Sequence, residues 1–138
     1  MRDPLTGAYE FEMRILILIA VASIAWSCGL TEVVCTADFR YGLNVTVADS
    51  ATGAPPAEAT LIATSGAFVD TVGPNRPVPA VFNGPPVLIL STAGERPGAY
   101  FVLVRSPGYR DWAKGNVEVT ADKCHVRPIT ITARLQPS

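Results

Sequence analysis

Apolar and polar positions follow two different regimes along the chain. Residues 15–30 form an uninterrupted, mostly apolar run without a single charge. Beyond it lie short stretches in which apolar and polar residues alternate, punctuated by glycine and proline. Alternation of period two marks a strand with one buried face. Leu43, Val45 and Val47, interleaved with Asn44, Thr46 and Ala48, predict the first such strand. Asp49-Ser50-Ala51-Thr52-Gly53 then supplies a turn: an Asp able to bond onward backbone and a Gly suited to positive φ. Residues 60–64 and 67–72 predict a hairpin around Ser65-Gly66. Residues 73–86 hold five prolines and two glycines, which excludes a central strand and predicts a long surface loop or edge crossing. A strand resumes over 87–92. Residues 99–105, AYFVLVR, are apolar on both faces and predict a central strand covered on both sides. Pro107-Gly108 ends it. Val117 and Val119 alternate with polar neighbours, and Ile129, Ile131, Ala133 and Leu135 face opposite to Thr130, Thr132 and Arg134. Seven or so short strands in about 100 residues predict an all-β, antiparallel Greek-key β-sandwich.

The apolar run is too short for an ordinary transmembrane helix, which needs about 20 residues. Residues 13–28, MRILILIAVASIAWSC, have the layout of an export signal: a basic start, an apolar core and a region of small residues. An N-terminal signal helix is therefore expected ahead of the sandwich. Residues 1–12 carry Asp3, Glu10 and Glu12 where such a signal should be basic, so synthesis is expected to start at Met13. Ala25-Trp26-Ser27-Cys28 resembles the lipobox of bacterial lipoproteins, with Ser27 and Gly29 fitting and Ala25 and Trp26 departing from it. That resemblance implies lipidation at Cys28; a plainly cleaved signal and an uncleaved anchor are the alternatives. Acyl chains contribute roughly 0.8 kcal/mol per buried methylene, so two or three of them hold a domain at a membrane. The expected organisation is an extension and signal peptide over 1–28, a short linker and first edge segment over 29–41, and the sandwich over 42–136.

From Cys28 onward 111 residues remain, enough for one core and too few for two. Nine acids and nine bases are dispersed through them without a block of like charge, which argues against a nucleic-acid partner. With Cys28 lipidated or removed, Cys35 and Cys124 remain, and an oxidising compartment makes a bridge between them the natural expectation. Two other chemistries compete. Zinc needs about four ligands and His125 is the only histidine. A catalytic thiol needs a base, and the neighbouring His125 would point to the opposite face of an extended strand. No cofactor or metal is expected.

Three segments together resemble the carboxypeptidase regulatory-like domains, which share a transthyretin-like (prealbumin-like) β-sandwich. They are Leu43 to Asp49 followed by Thr52-Gly53, similar to the family's D-x-x-T-G turn; Gly94-Glu95-Arg96-Pro97-Gly98-Ala99-Tyr100 followed by Val102 and Val104, similar to its G-x-Y strand start; and Pro107-Gly108-Tyr109, similar to the GY that follows. Cys35-Thr36 and Cys124-His125, with Leu135-Gln136-Pro137 at the end, resemble a subgroup of small bacterial exported proteins in which the two cysteines pair. The resemblance spans residues 35–136 and implies a scaffold role more often than a catalytic one.

Tyr100 is expected in the core with its hydroxyl on nearby backbone. Glu95 and Arg96 are expected to lock a turn. Tyr109 and Trp112 lie together in PGYRDW. They either plug and cover one end of the sandwich or form a sugar-stacking platform, with Arg110, Asp111 or Lys114 bonding hydroxyls. No G-x-S-x-G elbow is present and no acid stands in a recognisable catalytic motif. The expected function is non-catalytic: an exported cell-envelope domain, membrane-anchored through Cys28, with a structural or protein-binding role. The alternative is a carbohydrate-binding module using Tyr109 and Trp112. The expected partners are thus a membrane through the lipid anchor and an envelope protein or glycan.

Overall fold

A computed structural model describes residues 33–78 and 84–138. The export signal, Cys28 and residues 29–32 of the expected linker lie outside the described residues. From Cys35 to Ser138 the chain forms one compact unit. Its seven strands make two sheets, one of three strands in the order β4-β1-β7 and one of four in the order β3-β2-β5-β6. The all-β sandwich expected from the alternation is what the chain adopts.

β1 (Tyr41–Asp49) buries Leu43, Val45 and Val47, and its other face is half-buried. It is the central strand of the smaller sheet, pairing antiparallel with β4 (Ile89–Gly94) and parallel with β7 (Ile129–Leu135). The parallel ladder departs from the wholly antiparallel expectation, and the cross-link accounts for it. Cys35, ahead of β1, is bonded to Cys124, ahead of β7. The two strands therefore start side by side and run the same way, with Leu43 opposite Ile129 and Asp49 opposite Leu135.

β2 (Ala59–Ser65) and β3 (Phe68–Asn75) form the expected hairpin. Its turn is Gly66-Ala67, one residue later than expected, with Gly66 at φ 56°. β3 runs on through Gly73-Pro74, where a loop was expected. It is an edge strand, the position in a sheet where proline is tolerated. Opposite Ala59–Leu61 one extra β3 residue is accommodated as a bulge, with Gly73 at φ 105°. The following connection is pinched by reciprocal backbone bonds between Val78 and Val87. The hydroxyl of Thr92 on β4 donates to the carboxylate of Asp70 on β3, tying the two sheets along that side.

β5 (Gly98–Arg105) is central in the larger sheet, between β2 and β6 (Trp112–Val119). The expectation that it is covered on both faces is corrected. Tyr100, Val102 and Val104 are buried, whereas Ala99, Phe101 and Arg105 are exposed. The core lies between the sheets: Leu43, Val45, Val47, Leu90, Ala133 and Leu135 on one side meet Leu61, Ala63, Tyr100, Val102, Val104, Val117 and Val119 on the other. β6 begins at Trp112, earlier than the alternation around Val117 indicates. Among the described residues no helix is long and apolar enough to cross a membrane.

Candidate functional site

The polar chemistry of the domain gathers in three places: a cluster where β1 starts, a second where it ends, and a cavity beside the second.

The first cluster surrounds the Cys35–Cys124 disulfide, which joins segments 89 residues apart. Asp122 organises the chain around Cys124. Its Oδ1 accepts the N–H of Cys124 at 2.9 Å and of His125 at 3.0 Å. Those two N–H groups, His125 first, hold the Asp122 carboxyl below its ordinary value against the opposing effect of burial. Glu95, in the β4–β5 turn, accepts from the Arg40 N–H at 2.8 Å, the Val126 N–H at 3.2 Å and the His125 ring at 2.9 Å. Burial alone would raise its pKa; the bonds from His125, Val126 and Arg40 outweigh that and lower it. His125 Nε2 lies 3.2 Å from the Thr36 hydroxyl, which is itself 3.0 Å from Asp38. That hydroxyl has one proton, so it donates either to His125 or to Asp38.

Glu95, His125 and Thr36 have the connectivity of an acid–base–nucleophile relay. The backbone donors that the cluster orders, on Arg40, Cys124, His125 and Val126, all point at carboxylates instead of at a site for a developing oxyanion. The arrangement joins three chain segments. Glu95 and Arg96, expected as one pair locking the turn, separate in role. Arg96 lies over the Phe68 ring at 4.4 Å. A side chain on Gly94 would collide with the Phe39 ring lying on it. Cys124 is in a disulfide, so it offers no free thiol. Among the described residues no group of three or more His, Cys, Asp or Glu is placed to hold a metal.

The second cluster is the D-x-x-T-G turn. Asp49 is only 8% exposed, and its Oδ1 accepts the N–H groups of Ala51 and Thr52 at 2.7 and 2.8 Å. Its Oδ2 accepts the Tyr109 hydroxyl at 3.0 Å. The Thr52 and Ala51 N–H groups are the main reason its pKa lies below the ordinary value. The same bond to Asp49 is the main reason the Tyr109 phenol is pushed up. Tyr109 packs against the core and Asp49, so it plugs this end of the sandwich. Tyr100 lies in the core as expected, its hydroxyl donating to the Arg96 carbonyl at 2.9 Å.

The third feature is a part-open cavity of about 100 Å³ lined by Arg110, Asp111, Trp112, Arg134 and Gln136. It unites three of the expected surface residues (Arg110, Asp111 and Trp112) with two from the far end of the chain. Tyr109 and Lys114 are not among its lining residues. The backbone bond from Arg110 N–H to the Gln136 carbonyl, 2.9 Å, holds the two walls together. Asp111 is engaged by Arg105 at 2.9 Å. Sequence reasoning missed Arg134 and Gln136 because alternation on β7 reports only which residues face outward, not which segment lies opposite.

Compared with protein-family models and with curated proteins, the chain matches none of them.

Proposed function

We propose that this chain is a non-catalytic cell-envelope domain, related to the carboxypeptidase regulatory-like sandwiches, anchored at a membrane through a lipidated Cys28 and binding another protein along the free edge of β7. The observation that carries the reading is the contrast between the β7 edge and the other edges, of which β4 is six residues long and ends at Ala93, φ 57°, and Gly94. β7 pairs on one side only, with β1. Its sequence ITITARL is unbroken by proline or glycine and rich in β-branched residues. β3, by contrast, is blunted by Gly73-Pro74 and a bulge, and β6 by Gly115, Asn116 at φ 52° and an irregular register. An unblunted edge is a template for strand addition. The disulfide supports export, since such bridges persist in oxidising compartments. The D-x-x-T-G turn at Asp49 and the PGY segment support the family resemblance.

Two measurements test this. Mass spectrometry of the mature amino terminus is expected to find an acylated Cys28; cleavage elsewhere removes the anchor. A photo-crosslinker at Thr132 on β7 is expected to capture one envelope protein that the same probe at Thr71 on β3 does not. Equal capture from both edges overturns the β7 reading.

A second reading, carbohydrate recognition, is favoured by the cavity beside Trp112. Glycan binding lost in Trp112→Ala supports it, and absence of any glycan signal removes it.

A further inference from the structure

We infer that the Trp112 cavity is a subsite for a carboxylate-bearing sugar, with Arg110 and Arg134 gripping the carboxylate and Gln136 bonding ring hydroxyls. The inference rests on the carbohydrate reading and adds the charge of the ligand. Two features of its lining lead to it.

The first is the charge balance of the walls. Asp111 is the only acid among the lining residues, and it is paired with Arg105 across 2.9 Å. Arg110 and Arg134 both line the cavity, and neither makes a side-chain hydrogen bond or ion pair among the described residues. From Cys28 onward the chain is balanced in charge and dispersed, so a cavity with a surplus of cations is a local feature. A guanidinium is a planar fork of N–H donors that matches a carboxylate in bidentate fashion, which a neutral hydroxyl does not exploit.

The second feature is the composition of the rest of the wall. Trp112 is a wall residue whose indole is the kind of ring on which sugar C–H faces pack, and Gln136 has both a donor and an acceptor. A cavity of about 100 Å³ takes part of one ring and leaves the remainder in solvent. The ligand is therefore a single acidic residue of a glycan, read at its carboxylate and one ring face.

The test follows the Trp112 indole N–H by NMR in the full-length chain in detergent with the disulfide intact, the signal being assigned by its loss in Trp112→Phe. D-glucuronate, D-glucose and acetate are titrated in parallel. Glucuronate is expected to shift the signal saturably. Glucose is expected to bind roughly tenfold more weakly, the scale of losing charge-assisted hydrogen bonds. Arg134→Gln is expected to weaken glucuronate by a similar roughly tenfold factor, while Arg40→Gln, outside the cavity, leaves it unchanged. Glucose matching glucuronate overturns the charge inference and leaves carbohydrate recognition standing. Acetate matching glucuronate overturns the sugar. No response to any of the three overturns both.

Discussion

β1 runs between two carboxylates, and the difference between them shows how this sandwich is held. Asp49, at its end, accepts two N–H groups from residues two and three positions onward, so most of its network closes within one turn. Glu95, beside its start, accepts from groups 55, 30 and 31 residues away in sequence. Closing a long loop has a larger entropic cost than forming a local turn, though the cost grows only logarithmically. The disulfide sits at the end where the bonds to Glu95 are all long-range, although Asp122 closes a local turn of its own there. The covalent link thus reinforces the lock that chain entropy opposes most, and the local turn at Asp49 has none. Removing each lock in turn breaks this comparison or sharpens it.

The largest effect is expected from the disulfide. Cross-linking a loop of 89 residues stabilises by roughly 4–5 kcal/mol in the chain-entropy model. Cys35→Ser with Cys124→Ser is therefore expected to lower Tm by roughly 15 °C or more, read by circular dichroism. Amide exchange should accelerate first at Arg40 and Val126 while Ala51 and Thr52 stay protected. Uniform acceleration at both ends would show that the two locks are not separate units.

Glu95→Gln comes next. Glutamine keeps the volume and leaves one acceptor oxygen where Glu95 uses two. A Tm about 5–10 °C lower is expected, with the disulfide still formed. An unchanged Tm would mean that the cross-link alone holds this end.

Acid separates Glu95 from the two aspartates by pH. Glu95, Asp49 and Asp122 all have folded pKa values below their ordinary 4.5, 3.8 and 3.8. A depressed carboxyl contributes stability that is complete above its unfolded pKa and lost as pH falls through its folded one. Stability should hold steady as pH falls to about 5, begin to drop below about 4.5 and continue dropping below about 3.8. Glu95→Gln should flatten the upper part of that decline and Asp49→Asn the lower part. Urea unfolding from pH 7 to pH 2 measures both, and identical curves for the two variants would contradict the assignment.

Much of this architecture was legible in the chain, for a physical reason. Burial on one face forces alternation, so Leu43-Val45-Val47 and Ala133-Leu135 declared their strands and their inward faces. The Asp49 turn was legible because its donors are two and three residues away. What stayed hidden depends on which segments cross in space. Alternation does not say that β7 lies parallel to β1, although a cysteine shortly before each strand constrains it once they are bonded. Nor does it bring Glu95 to His125 or Arg134 to Trp112. β5 misled because aliphatic and aromatic side chains in AYFVLVR look alike whether or not a layer covers them. In the fold Phe101 is 49% exposed while Tyr100 is 1% exposed.

The smallest effect belongs to Tyr109→Phe, which removes one long-range bond from the otherwise local end. The ring stays to plug the sandwich, so only the hydroxyl's bond to Asp49 is lost and Tm should fall by about 3 °C. The variant has a second signature at high pH. The Tyr109 phenol is raised above its ordinary 10.0, chiefly by that bond. A group with a raised folded pKa contributes stability that is complete below the unfolded pKa and lost as pH rises through the folded one. Wild type should therefore lose stability above about pH 10 more steeply than Tyr109→Phe, with Tyr100, also raised, sustaining the remaining alkaline loss. If the two proteins decline in parallel above pH 10, the Asp49–Tyr109 bond contributes nothing in solution. The end of β1 would then rest on its turn alone, making the contrast with the cross-linked end sharper still.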